Sequence, residues 1–211
     1  MEGVAGVVLA AGSSTRMGRP KQLLRLGEVP LLQHVVDAVA AARLDEVVVV
    51  LGHEATVVEE ALRLPEGSRV VRNTEHAAGL SSSLRAGLDA LGPGIRAAIV
   101  ALGDQPELDA ASILAVVDAY RRIESRVVQA SYRGVPDHPV LLDRRVWPEV
   151  LTVTGDRGAR DVLASHPDWL HLVELDREPP KDVDTWGDYE ELIERRDRPS
   201  AGSRPPPGRA P

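Results

Sequence analysis

The feature that most constrains this chain is a repeated pairing of a short, unbroken apolar run with a segment of helical periodicity. Predominantly apolar strands of this kind are expected over 4–10, 46–51 and 95–102, with a further short strand over 69–72, where two arginines flank two valines. Runs without polar alternation suit strands buried on both faces of a parallel sheet. After Pro30, Leu31, Leu32, Val35, Val36 and Val39 recur at helical spacing, and further helices are expected over 54–62, 81–91 and 109–122. The order β-α-β-α-β-α-β-α predicts a layered α/β domain with right-handed crossovers and a mostly parallel sheet.

The second half is less regular. A strand is expected over 126–132, then a turn across GVPDHP, the short run VLLD, a short helix within 155–163, an edge strand over 170–175 and an amphipathic helix over 186–195. These pieces are expected to cover one end of the sheet and shape an acceptor pocket. From residue 198 onward no apolar side chain could anchor the Pro- and Arg-rich segment, so we divide the chain into a domain over 1–197 and a disordered tail over 198–211. With 43% hydrophobic residues but only 3% aromatic and no Phe, the core must be aliphatic.

Charge and composition narrow the partners. A net charge of -7 gives no global positive field for a long nucleic acid, so recognition of phosphate has to be local and a small nucleotide is the better fit. Without cysteine there are no disulfides, thiolate metal sites or thiol nucleophiles. The opening residues carry an acid where a signal peptide needs a base, and no apolar run approaches the roughly 20 residues needed to cross a bilayer. A soluble, cytoplasmic protein with neither membrane nor nucleic-acid partners is expected.

The first apolar run ends at Gly12 and flows into a small-residue loop that closes on Lys21, one of two lysines in the chain. Neither the dinucleotide pattern G-x-G-x-x-G nor the P-loop pattern G-x-x-x-x-G-K-[ST] fits, because five residues separate Gly12 from Gly18 and Lys21 sits three places further on. The physical content of a phosphate site is still present. Gly12 is expected to allow a sharp turn at the carboxyl end of the first strand, where open α/β sheets bind ligands. Arg16 can fork onto phosphate oxygens and Lys21 can act as a point charge. Asp104, just past the fourth apolar run, should emerge at the same edge and hold a divalent cation, or else serve as a turn or cap residue.

The segment L-A-A-G-S-S-T-R-M-G-R-P-K resembles the signature of the MobA-like nucleotidyltransferase superfamily, and within it the molybdenum cofactor cytidylyltransferases. Five more matches follow in order: GLSSSLRAGL at 79–88, LGDQPEL at 102–108, HPVLL at 138–142, GDRGAR at 155–160 and DVDTWGDY at 182–189. The resemblance implies a Rossmann-like, three-layer α/β fold. It implies a magnesium-dependent transferase that moves CMP from CTP to molybdopterin cofactor and releases pyrophosphate. Guanylyl-transferring relatives commonly read L-A-G-G, so the extra methyl of Ala11 leans the reading toward cytidylyl transfer. GTP or another NTP, another phosphorylated acceptor, and a non-catalytic nucleotide-binding role in molybdoenzyme maturation stay open as alternatives. A molybdoenzyme or its maturation factor is the partner protein this implies.

By the same resemblance, Arg16, Lys21 and Asp104 carry the catalysis, Leu9, Ala10, Ala11, Gly12 and Ser13 contact the nucleotide, and Asp104 and Asp184 hold Mg²⁺. Asp182 is a second candidate ligand, while Asp184-Thr185 could instead cap the last helix. Lys181 could face the phosphates. Ser81 and Ser82 are expected at nucleotide or acceptor, with N-capping as the rival role. Asn73 could read a pyrimidine edge or simply shape a turn. His138 could meet the acceptor or be a structural histidine. Asp156, Arg157 and Arg160 could form a second phosphate site or a solvated helix start. The remaining histidines, His34, His53, His76, His166 and His171, show no metal spacing and read as structural or exposed.

Overall fold

The computed structural model describes residues 3–123, 125–156 and 159–197; the 198–211 segment and Arg157 lie outside the described residues. In chain order the strands are β1 (Gly3–Ala10), β2 (Arg25–Leu26), β3 (Val29–Pro30), β4 (Glu46–Leu51), β5 (Ser68–Arg72), β6 (Ile95–Leu102), β7 (Val127–Tyr132), β8 (Val135–Asp143) and β9 (Leu170–Leu175). The helices are α1 (Leu31–Ala41), α2 (Ala55–Glu60), α3 (Leu80–Asp89), α4 (Ala110–Arg122), α5 (Trp147–Val150), α6 (Arg160–Ser165) and α7 (Trp186–Asp197).

A seven-stranded sheet runs in the order β5-β4-β1-β6-β8-β7-β9. Neighbours β5, β4, β1 and β6 are parallel, β8 is antiparallel to both β6 and β7, and β9 runs parallel to β7 at the edge. The mostly parallel sheet and its helical layers agree with the expectation. The unbroken apolar runs are explained by the layers on each face: Val8 and Ala10 of β1 join a core with Leu32, Val36, Ile113 and Val117 of α1 and α4. Val7 and Leu9 join the opposite core with Leu84 and Leu88 of α3 and Trp147 and Val150 of α5. Successive side chains alternate across a strand, so a strand covered on both sides must be apolar throughout.

A third, smaller core shapes the site. Met17, Leu24, Leu26, Leu31, Val183 and Leu192 pack together, with Tyr189 and Ile193 against them. This pins the loop after β1, the β2–β3 hairpin and α7 to one another. The Tyr189 hydroxyl also donates to the Arg25 carbonyl at 2.6 Å. Neither the β2–β3 hairpin nor its pairing is visible in the hydrophobic pattern.

The region expected as a turn across GVPDHP is instead the first half of β8. The reversal lies at Arg133 and Gly134, both left-handed with φ of 48° and 83°, so Gly134 meets the turn's need for positive φ without a Cβ penalty. Two prolines are tolerated because residues 135–139 have β7 on one side only; pairing with β6 begins at Val140. The register slips between Gln129 and Ala130, and this takes up His138 and Pro139, whose peptide bond is cis.

Candidate active site

The candidate site is assembled at the carboxyl end of the parallel strands. After β1 the chain turns through Ser14 and Gly18, with φ of 51° and 69°, and buries Met17. Two side chains tie the ends of this loop together. The Ser14 hydroxyl accepts from the Lys21 N–H at 3.0 Å, and the buried Gln22 amide donates to the carbonyls of Ala10 at 2.9 Å and Gly12 at 3.0 Å. Gln22 was not expected from sequence, where nothing sets it apart from the charged residues around it. The sharp turn expected of Gly12 falls on Ser14 and Gly18 instead. A Cβ at Gly12 would meet no protein atom within 4 Å, so the space it leaves belongs to the cleft.

Gly103 donates its N–H to the Leu9 carbonyl at 2.9 Å, which brings Asp104 beside the loop. The Asp104 carbonyl in turn accepts from Val183 N–H at 3.0 Å. Because Val183 is buried in the third core, its neighbours Asp182 and Asp184 are left to line the cleft. Of the Asp184-Thr185 pair considered as a cap, Thr185 takes that role: its Oγ1 accepts from Asp188 N–H at 3.2 Å, and Asp188 Oδ2 accepts from Thr185 N–H at 2.7 Å, a reciprocal box at the start of α7.

Freed from capping, Asp184 joins a cluster of charges. Lys21 Nζ lies 2.6 Å from Asp104 Oδ2 and 2.6 Å from Asp184 Oδ1, while Arg16 Nη1 reaches Asp184 Oδ2 at 3.2 Å. Burial pulls the Lys21 ammonium down, but the charge of Asp104 and the hydrogen bonds that Lys21 donates to both carboxylates outweigh it and raise it above the ordinary lysine value. Lys21, helped by Arg16, holds the Asp184 carboxyl below the usual range. Asp182, at the solvent-accessible mouth, is pushed up by lost hydration and then by the like charge of Asp104.

The cleft has a volume of about 580 Å³ and is lined by Leu9, Ala10, Ala11, Gly12, Ser13, Lys21, Asp104 and Asp184 of the expected residues. Gln22, His76, Leu80, Ser83, Asp156 and Asp182 also line it. His76 was read from sequence as structural or exposed, yet it faces this cleft.

Several expected residues lie off its surface. The Asn73 amide is buried and donates to Ser82 Oγ at 2.9 Å and Ser83 Oγ at 3.1 Å, and its carbonyl accepts from Glu75 N–H at 2.9 Å, so its polar atoms are committed to the local turn. Ser82 donates to the Gly79 carbonyl at 2.8 Å, and Ser81 N–H donates to Gly155 at 3.0 Å, leaving Ser83 as the serine that lines the cleft. The His138 backbone N–H donates to Asp137 Oδ1 at 2.7 Å and its ring Nδ1 lies 3.5 Å from the same oxygen, while Arg160 is exposed at the first turn of α6. Lys181 pairs with Glu191 at 2.6 Å, away from the cleft.

Asp104, Asp182 and Asp184 offer an all-oxygen donor set, the chemistry preferred by hard divalent cations. Asp104 Oδ1 is buried without a hydrogen-bond partner, an acceptor open to such a cation. Among the described residues no group of three or more acidic, His or Cys side chains closes on one point. The protein's carboxylates therefore suit part of a metal's shell, with phosphate oxygens and water as the remainder.

The parallel sheet, the loop after its first strand and the carboxylates at its edge define an α/β nucleotidyltransferase fold. Residues 6–169 match the MobA-like NTP transferase domain, and the chain belongs to that family. It is 34% identical over 192 residues to nicotine blue oxidoreductase of Paenarthrobacter nicotinovorans, covering 86% of this chain and 92% of that protein. The crystal structure of Rv0371c from Mycobacterium tuberculosis H37Rv is similar with a TM-score of 0.82 at 33% identity, covering 91% of this chain and 98% of the other. The same protein in complex with manganese gives a TM-score of 0.78 at 31% identity over 91% and 98% of the two chains. A nucleotidyl transferase from Methanothermobacter thermautotroptrophicus gives 0.77 at 27% identity, covering 92% and 98%. No described helix is long and apolar enough to cross a membrane.

Proposed function

We propose that this protein transfers CMP from CTP to the terminal phosphate of molybdopterin cofactor, with magnesium and with release of pyrophosphate. The observation that carries this reading is the Lys21 ammonium held 2.6 Å from both Asp104 and Asp184 beside a loop of backbone amides. A phosphate nucleophile is already ionised near neutral pH, so the reaction needs alignment and charge compensation rather than a strong base. Arg16 and Lys21 bind the triphosphate and stabilise the departing pyrophosphate. Asp104 and Asp184, with Asp182 beside them, hold the metal, which when bound offsets charge on the phosphates. Ala11 and His76 border the space left for the base, and the methyl of Ala11 favours the smaller pyrimidine. Magnesium, the cytoplasm as location, and a molybdoenzyme or its maturation factor as downstream partner belong to this same reading. The domain over 1–197 carries the activity.

The test is pyrophosphate release across the four NTPs, with molybdopterin and other phosphorylated acceptors. CTP with molybdopterin should be fastest, and release with no NTP and acceptor combination would sink the proposal. A second reading, an oxidoreductase, is favoured by the relative named nicotine blue oxidoreductase. Against it stands the missing G-x-G-x-x-G fingerprint in the first loop. Turnover of nicotine blue by the purified protein, in place of pyrophosphate release, would favour it.

A further inference from the structure

We propose that the Lys21 ammonium is a resident cation that competes with a divalent metal for the Asp104–Asp184 pair, so that metal is taken up tightly only together with a polyphosphate that draws Lys21 onto its own oxygens. The proposal deepens the nucleotidyltransferase reading and rests on it for the identity of the polyphosphate.

The geometry supplies the competition. Lys21 Nζ sits 2.6 Å from one oxygen of each carboxylate, and these are the two acidic groups that would hold a dication. Its side chain is only 12% exposed, and its backbone N–H is held by the Ser14 hydroxyl, so any movement of the ammonium toward a polyphosphate must come from rotation within the four-carbon stem. The cleft is lined by Asp104, Asp156, Asp182 and Asp184, and among the described residues Lys21 is the one lysine or arginine that lines it. With Lys21 between the carboxylates, a metal meets a like charge; without a metal, a triphosphate meets a surplus of carboxylates. Each ligand therefore removes the obstacle to the other, and such coupling is reciprocal by thermodynamic necessity. Asp104 Oδ1, buried and unpartnered, is the oxygen that the ammonium does not satisfy.

The test is Mn²⁺ binding to the full chain, followed by the electron paramagnetic resonance of the free ion and by calorimetry. Wild type, Lys21→Gln and Lys21→Met are each titrated with and without a non-hydrolysable α,β-methylene CTP analogue, and the analogue's own Mn²⁺ binding is subtracted. Without nucleotide, both variants should bind Mn²⁺ at least ten-fold tighter than wild type. The analogue should tighten Mn²⁺ binding to wild type by ten-fold or more and do little for the variants. Variants that bind no tighter than wild type overturn the proposal. The wild-type arms decide alone if a variant fails to fold, because equal Mn²⁺ affinity with and without the analogue also overturns it. Failure of the underlying reading looks different: wild type would neither bind the analogue nor release pyrophosphate from any NTP.

Discussion

Replacing Asp104 with Asn separates the chemical role of this carboxylate from its structural one. Asparagine keeps the size and one acceptor oxygen for Lys21 Nζ, but exchanges a charge-assisted hydrogen bond of about 1.5–3 kcal/mol for a neutral one of about 1 kcal/mol. Asp104 is 23% exposed and Lys21 keeps Asp184 as a partner, so no buried charge is orphaned and the larger penalty of a broken buried pair does not apply. The substitution also removes the like charge that pushes Asp182 up, which returns part of the loss. The net cost is about 1 kcal/mol, or roughly 2–4 °C in Tm for a domain of this size. The chemical cost is larger. If Asp104 holds the metal that offsets charge on the phosphates, its loss should lower kcat by about 10²–10³-fold. Pyrophosphate release and thermal unfolding measured on the same preparation distinguish the two. A kcat within ten-fold of wild type refutes the metal-ligand assignment, and a fall in Tm beyond about 10 °C, far above the shift worked out here, shows a residue whose chief work is structural.

Gln22→Ala leaves the Ala10 and Gly12 carbonyls without their donor; about 1–3 kcal/mol of stability should be lost, with a rise in KM for nucleotide that exceeds the fall in kcat. An unchanged KM would show that the loop holds its shape without Gln22. Asn73→Ala should cost about 1–2 kcal/mol in chemical unfolding and leave the preference among the four NTPs unaltered, since its amide is spent on Ser82 and Ser83; an altered preference would restore Asn73 to the nucleotide. Asp143 is buried; desolvation raises its carboxyl, but hydrogen bonds from Arg145, Tyr120 and Arg96 prevail and hold it below the usual range. Its stabilisation is present above the unfolded value of about 3.9 and is lost as pH falls through the lower folded value. Asp143→Asn should therefore flatten the acid limb of a stability-versus-pH curve below about pH 4, and an unchanged limb contradicts the assignment.

Much of the frame was legible because the signals were local and periodic. Residues 47–51 and 97–102 are apolar at every position and lie under helices on both faces, and β4 and β6 contain them. Strand β8 was misread because two prolines argue for a turn unless the strand has a neighbour on one side only, and sequence carries no record of neighbours. The proximity of Lys21 and Asp104 follows from parallel strands ending at one edge. The arrival of Asp184 does not. It depends on Val183 being buried against Met17 and Leu192 and donating to the Asp104 carbonyl, contacts between parts of the chain far apart in sequence.

Sequence alone determined the α/β class, the small-residue loop from Gly12 to Lys21 and the resemblance to its family, because each is written in contiguous residues. Tertiary structure decided which polar groups face the cleft and which are spent on the protein itself. Asn73, Ser82 and Asp184 could each have served either way, and the outcome turned on which donors and acceptors folding brought within hydrogen-bonding distance. A buried polar group must find a partner, and only the folded chain determines which one it finds.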